Sequence, residues 1–269
     1  MRKYVLPSLA IALVVFAVAG PLLVPNDPLA QNIVARFAPV GTPGHLLGTD
    51  NFGRDVLARI AAGAQVELFT ALSATLLAMA FGVTIGMTAA YSRGLTEGVL
   101  MRGIDVMLSI PPLILALLVV AALGPSVPTL IGVLALLFTP GFARVAYGQT
   151  LSVRNRQFVQ AAIIFGAPRR SIVLGQILPN IMAPILAQAS LTIAAAILVG
   201  SGLGYLGLGI RPPAPSWGGM VADGQRYMSS HPMLMIVPGL FVVCTILIFS
   251  ALGDTLRALW DPREQGGRS

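Results

Sequence analysis

Long uncharged runs alternate with short charged connections along this chain. Tyr4 to Asn26 carries no charge, nor does Leu68 to Tyr91. The second run is 24 residues, about 36 Å as a helix against a bilayer core of about 30 Å. Val106 to Ala143 is uncharged over 38 residues, but Gly124-Pro125-Ser126-Val127-Pro128 interrupts it. The pattern therefore predicts two helices there, joined by a tight turn. A fifth span is expected over about Ala183 to Leu203 and a sixth over about Leu234 to Leu252. The whole reads as an all-α integral membrane protein of about six transmembrane helices. The first run is 23 residues, longer than a signal-peptide core, so it predicts a retained span.

Between the fourth and fifth spans lies RNRQFVQAAIIFGAPRRSIVLGQILP, Arg154 to Pro179, with four arginines and no acid. Phe158, Ala161, Ala162 and Phe165 recur at i, i+3, i+4, i+7, one face of a helix. Gly166 stands where a left-handed C-cap would end that helix, and Pro168 suits the start of a second one. On composition alone, this short helix either docks on a partner or lies along the membrane surface.

Charge orients the spans. With the N-terminus inside, the inner segments hold Arg2, Lys3, Arg93, Arg102, Arg144, Arg154, Arg156, Arg169, Arg170, Arg257, Arg263 and Arg268, which is 12 of the 17 basic residues. That asymmetry predicts cytosolic N- and C-termini. The net charge of +7 is thus a matter of topology. It suits membrane lipid or an acidic partner on the cytosolic side, and not nucleic acid.

The first outer segment, about Pro25 to Val66, begins irregularly and continues as HLLGTDNFGRDVLARIAAGAQVEL. Asp50 and Arg54, and Asp55 and Arg59, are spaced i,i+4 with the acid first. A short amphipathic outer helix with solvated ion pairs is expected. Asp105 reads as the only acid near a membrane core, with Arg102 three residues away as its partner. Pro111-Pro112 should kink or delay its helix, for packing or to line a pathway.

Little else suggests chemistry. No GxxxxGK[ST] phosphate loop is present, so this chain is not itself expected to hydrolyse ATP. His45 and His231 are the only histidines, too few for a metal cluster, and no metal site is expected. Cys244 is the single cysteine, inside an apolar run. A channel or secondary transporter should show ionisable residues in several spans or an inverted repeat. A membrane-embedded enzyme should show His, Asp or Ser constellations on facing spans. The sequence displays none of these.

Four segments together carry a family resemblance. They are His45-Leu46-Leu47-Gly48-Thr49-Asp50-Asn51-Phe52-Gly53-Arg54-Asp55; Gln160-Ala161-Ala162 with Gly166 and Ile177-Leu178-Pro179-Asn180; Leu206-Gly207-Leu208-Gly209 with Pro212-Pro213 and Ser216-Trp217-Gly218; and Leu252-Gly253-Asp254, Leu256-Arg257 and Asp261-Pro262-Arg263. In this order they resemble the second, C-type permease of the dipeptide/oligopeptide/nickel group of ATP-driven (ABC) importers. The resemblance implies a type I permease fold and no cofactor on this chain, with ATP and Mg bound by partner ATPases. It implies a sister permease, two ATPase subunits and an external substrate-binding protein, in a bacterial inner membrane. Peptides are the implied substrate, with nickel or another small solute as the alternative.

The resemblance divides the chain into residues 1–66, a first helix plus external segment; 67–260, a permease core with a cytosolic coupling loop at 149–180; and 261–269, a cytosolic tail. It assigns ATPase coupling to Phe158, Gln160, Ala161, Ala162, Phe165, Gly166, Ile177 and Pro179. Gly48, Thr49, Asp50, Gly53, Arg54 and Asp55 form the external signature. The family most often has Glu at the position of Gln160, so a carboxylate is replaced here by an amide that still hydrogen-bonds.

Overall fold

A computed structural model describes residues 2–92 and 94–260. The helices are α1 (Arg2–Leu23), α2 (Val56–Ser92), α3 (Leu95–Ser109), α4 (Pro112–Leu123), α5 (Val127–Arg154), α6 (Gln157–Ile164), α7 (Arg169–Ser171), α8 (Leu178–Tyr205), α9 (Trp217–Gln225) and α10 (Met233–Trp260). A π-turn, Ile172–Ile177, joins α7 to α8, so the backbone winds without a break from Arg169 to Tyr205. Five of these segments are long and apolar enough to cross a membrane. The third expected span is a broken one: α3 and α4 meet at an 88° bend. Pro111 and Pro112 cause it, since a residue before proline is driven out of the helical region and Pro112 then starts α4. The expected turn at Gly124 to Pro128 is present, with Ser126 capping α5 through Thr129 N–H at 3.2 Å.

At the centre, α2 lies against α5, and a stripe of small residues on α2 sets how closely. Ala74, Ala78, Gly82, Gly86 and Ala90 recur every four residues, and all are buried. A Cβ at Gly82 would stand 2.5 Å from Phe142 Cβ and 2.6 Å from the Thr139 carbonyl oxygen. One at Gly86 would meet the Ala143 carbonyl oxygen and stand 2.8 Å from the Tyr147 amide nitrogen. In a bilayer, lipid is as apolar as leucine, so close backbone packing by small residues is what associates helices. Around this pair, α1, α8 and α10 complete a core that includes Leu68, Leu134, Ile197, Trp217 and Phe249. Leu76, Phe81, Leu198, Leu240 and Leu247 point outward, as lipid-facing side chains should.

The starts of the second and fifth spans differ most from the sequence expectation. The second span begins at Val56, twelve residues before the uncharged run, because Asp55 accepts a hydrogen bond from Ala58 N–H at 2.7 Å and caps the helix. The fifth begins at Arg169 rather than near Ala183. Pro179 does not end that helix, because it follows the π-turn. The carbonyl its ring would strike, that of Gly175, belongs to the wider i→i−5 winding.

Candidate functional site

α2 is 37 residues long, and a distinct structure sits at each of its ends. Its N-terminal end carries the segment HLLGTDNFGRD, which is not a helix and whose ion pairs are not solvated. Asp50 is the hub. One carboxylate oxygen accepts from Phe52 N–H at 2.8 Å and Arg54 N–H at 2.9 Å; the other meets Arg54 Nε at 2.6 Å and Arg59 Nε at 3.6 Å. Arg54 and Arg59 are both buried. Arg59 also donates to the Pro28 carbonyl at 3.2 Å.

Asp55 does not pair with Arg59. It meets His45 Nδ1 at 2.7 Å, accepts from Asn26 Nδ2 at 2.9 Å, and caps α2. Thr49 joins the Ala35 and Ala38 backbones through its hydroxyl, which donates to the former and accepts from the latter. Gly53 holds a φ of +71°, and a Cβ there would collide with the Asn32 carbonyl. Gly48, with φ +74°, donates its N–H to the His45 carbonyl at 2.9 Å and accepts from Val56 N–H at 3.1 Å. The segment is a clasp that folds the chain back on itself and starts α2. The correct i,i+4 spacing misled because Asp50 and Arg54 pair across a turn.

Beneath the clasp lies a residue the sequence reading passed over. Glu67 is buried within α2 and accepts from the backbone N–H groups of Trp217 and Gly218. Those are the first residues of α9, whose cap, Ser216, accepts from Gly219 N–H at 3.2 Å. Trp217 is fully buried and donates its indole N–H to the Ile60 carbonyl at 3.0 Å. A carboxylate at a helix N-terminus satisfies donors that would otherwise be orphaned. The signal was available: Glu67 is the only charged residue between Arg59 and Arg93. Asp105, by contrast, is half exposed and pairs with Arg144 of α5, not with Arg102. Next to it, Tyr147 donates to Glu97, so two polar contacts tie α3 to α5.

The other end of α2 carries the arginine-rich loop, and there the expected helix is present as α6. It closes as expected at Gly166, whose φ is +75°. Gly166 N–H bonds the Ile163 carbonyl at 3.0 Å and Ala167 N–H the Ala162 carbonyl at 3.0 Å, the paired bonds of a Schellman cap. The inward anchor, however, is Val159, fully buried beside Val153, Ile172 and Ile177. Ala162 packs partly against that cluster. Phe158 and Ala161 are exposed, while Ile164 and Phe165 are 82% and 88% exposed. Four apolar residues therefore project from α6 away from the bundle. Of the remaining loop residues, Ile177 is a core side chain of the π-turn, Pro179 is exposed at the start of α8, and Gln160 Nε2 donates to the Arg154 carbonyl at 3.1 Å. An ionised Glu has no donor and would forgo this last bond. Asp261, Pro262 and Arg263, from the fourth resembling segment, and the 261–269 tail lie outside the described residues.

A helical bundle with five segments long and apolar enough to cross a membrane and one broken pair is the architecture of an integral membrane protein. Residues 82–266 match the family described as binding-protein-dependent transport system inner membrane component. The chain is 35% identical over 252 residues to the dipeptide transport system permease protein DppC of Haemophilus influenzae, covering 92% of this chain and 85% of that protein. It is 36% identical over 259 residues to the probable D,D-dipeptide transport system permease protein DdpC of Escherichia coli K12, covering 96% and 87%. A di/tripeptide transport system permease protein DppC of Pseudomonas aeruginosa is 35% identical over 257 residues, covering 93% and 85%. The chain belongs to the binding-protein-dependent inner-membrane permease family, and is a multi-pass subunit of an ATP-driven importer. The family match spans α6 and its Gly166 cap and leaves out the clasp at residues 45–55.

Proposed function

We propose that this chain imports peptides as one half of a permease pair, and that α6 is the element through which ATP hydrolysis drives it. The single observation that carries this reading is the exposed face of α6: Phe158, Ala161, Ile164 and Phe165 project from a helix pinned by Val159 and closed by Gly166. Such a set, with aromatic side chains beside a small residue that admits close approach, suits a groove on a second protein. The partner is an ATPase subunit, one of two, which hold ATP and Mg. A sister permease completes the pathway and an external binding protein delivers the solute. In this reading residues 149–176 are cytosolic and the clasp end is external, which agrees with the arginine asymmetry. The relatives named for dipeptide transport support peptides as the solute.

The chain's own residues have a clear division of labour. Glu67 and Trp217 fix α9 against α2 near the clasp, and the stripe from Ala74 to Ala90 locks α2 to α5, whose last residue, Arg154, leads into α6. A push on α6 thus reaches the far end through packed helices. Reconstitution tests the reading. Proteoliposomes holding this chain, its sister permease and both ATPases should take up a labelled dipeptide only with ATP and binding protein. This chain alone should neither hydrolyse ATP nor take up peptide. Uptake by this chain alone, driven by an ion gradient, would contradict it.

A further inference from the structure

Where α2 ends, an apolar groove of about 290 Å³ runs between its last turns and the π-turn. Val83, Met87 and Tyr91 line one wall at i, i+4 and i+8, and Val173, Leu174 and Leu178 line the other. Among the described residues, no charged side chain lines it. Val83 to Tyr91 spans about 12 Å of helix axis. At the Tyr91 end the chemistry changes abruptly. The Arg154 guanidinium stands 5.4 Å and that of Arg169 6.0 Å from the Tyr91 ring centroid. Arg154 Nη1 is held in place by the carbonyls of Ala90 at 2.9 Å and Tyr91 at 3.3 Å. Neither arginine has an acidic partner among the described residues.

We propose that this groove is a binding site for one anionic phospholipid, with an acyl chain along Val83, Met87 and Leu174 and the phosphate at Arg154 and Arg169. Three features select this occupant. The groove is lined mainly by apolar surface, with the hydroxyls of Thr84, Thr88 and Ser92 along the α2 wall, and the two guanidinium groups stand at its Tyr91 end, which matches an amphiphile better than a soluble anion. Tyr91 sits at the junction, where tyrosine is favoured at a membrane interface. Among the described residues no acid pairs with either arginine, and basic residues at a bilayer surface attract anionic lipid. The π-turn is part of the site: Val173 and Leu174 both belong to it. Because the same turn joins α7 to α8, and Val159 of α6 packs on Ile172 and Ile177, the lipid braces the base of the projecting helix. The cytosolic leaflet is assigned on the orientation proposed above.

The full-length chain in detergent, titrated with phosphatidylglycerol and followed by native mass spectrometry, tests this directly. Saturable binding of one phosphatidylglycerol, with phosphatidylcholine markedly weaker, is expected. Arg169→Gln should weaken phosphatidylglycerol about fivefold, the worth of one basic contact at a membrane surface. Leu174→Trp, at an exposed position, should fill the groove and remove binding. Equal binding of the two lipids, or unchanged binding in both variants, would overturn the proposal. Competition by inorganic phosphate would show a bare anion site, and a photo-crosslink from residue 174 to another subunit of the assembled importer would show a protein occupant; either also overturns it. Orientation is read separately. Single cysteines at Arg156 and Asn51, in a Cys244→Ser background, are challenged with an impermeant thiol reagent in intact cells. Labelling at 51 alone supports the cytosolic leaflet, and labelling at 156 alone overturns that leaflet and the proposed orientation whatever the lipid titration shows.

Discussion

Asp50 shows how much one side chain can hold. It satisfies two backbone donors and pairs with two buried guanidinium groups. Three charges removed from water are costly, and the arrangement persists because each has a partner. Removing the carboxylate leaves Arg54 and Arg59 buried without it, a loss of about 3–5 kcal/mol for a broken buried pair. Asp50→Ala should therefore lower the thermal midpoint of the detergent-solubilised protein strongly, while Asn51→Ala, one residue away and only partly buried, should change it little. Equal midpoints for the two variants would show that the clasp is solvated after all. Spacing alone predicted the Asp50–Arg54 pair correctly and its surroundings wrongly. An i,i+4 acid–base pair looks the same in sequence whether it lies on a helix face or across a turn. What distinguishes the turn is Gly53, whose positive φ is incompatible with a helix.

At the scale of elements, the α2–α5 contact is the most extensive among the described helices, and it depends on residues with almost no side chain. A methyl group at Gly86 meets backbone atoms of α5, which cannot rotate away as a flexible side chain would. Gly86→Val should force the two helices apart, at a cost above the 1–3 kcal/mol typical of core overpacking. Gly148→Val, where a Cβ has open space, is the control. Protease resistance of the solubilised protein should fall for the first and hold for the second.

The long uncharged runs made most helices legible, because hydrophobic length is what a bilayer demands. The irregular ones were hidden for identifiable reasons. The α3–α4 bend was foreshadowed by Pro111-Pro112 but not its size. α9 is short and glycine-rich, and two of its first N–H groups bond Glu67, 150 residues earlier in the chain. On α6, the face containing Phe158 and Ala161 was visible from spacing. The inward position of Val159 was not, since the helix is apolar nearly all round and only the packing of Ile172 and Ile177 decides which side faces the bundle.

For the molecule as a whole, the central claim is that α6 transmits force from an ATPase to the bundle. The co-purification of ATPase subunits with this permease, together with binding-protein-stimulated ATP hydrolysis, measures it most directly. Ala161→Trp puts a bulky ring on the exposed face, and Gly166→Val puts a β-branched residue at a φ of +75°. Both should leave membrane insertion intact, because neither residue lies in a membrane-crossing helix. Gln160→Glu, which loses only one exposed hydrogen bond to the Arg154 carbonyl, should behave nearly as the parent. The account predicts that Ala161→Trp and Gly166→Val each lose ATPase recovery and stimulation together. Normal recovery and normal stimulation in both variants would contradict it.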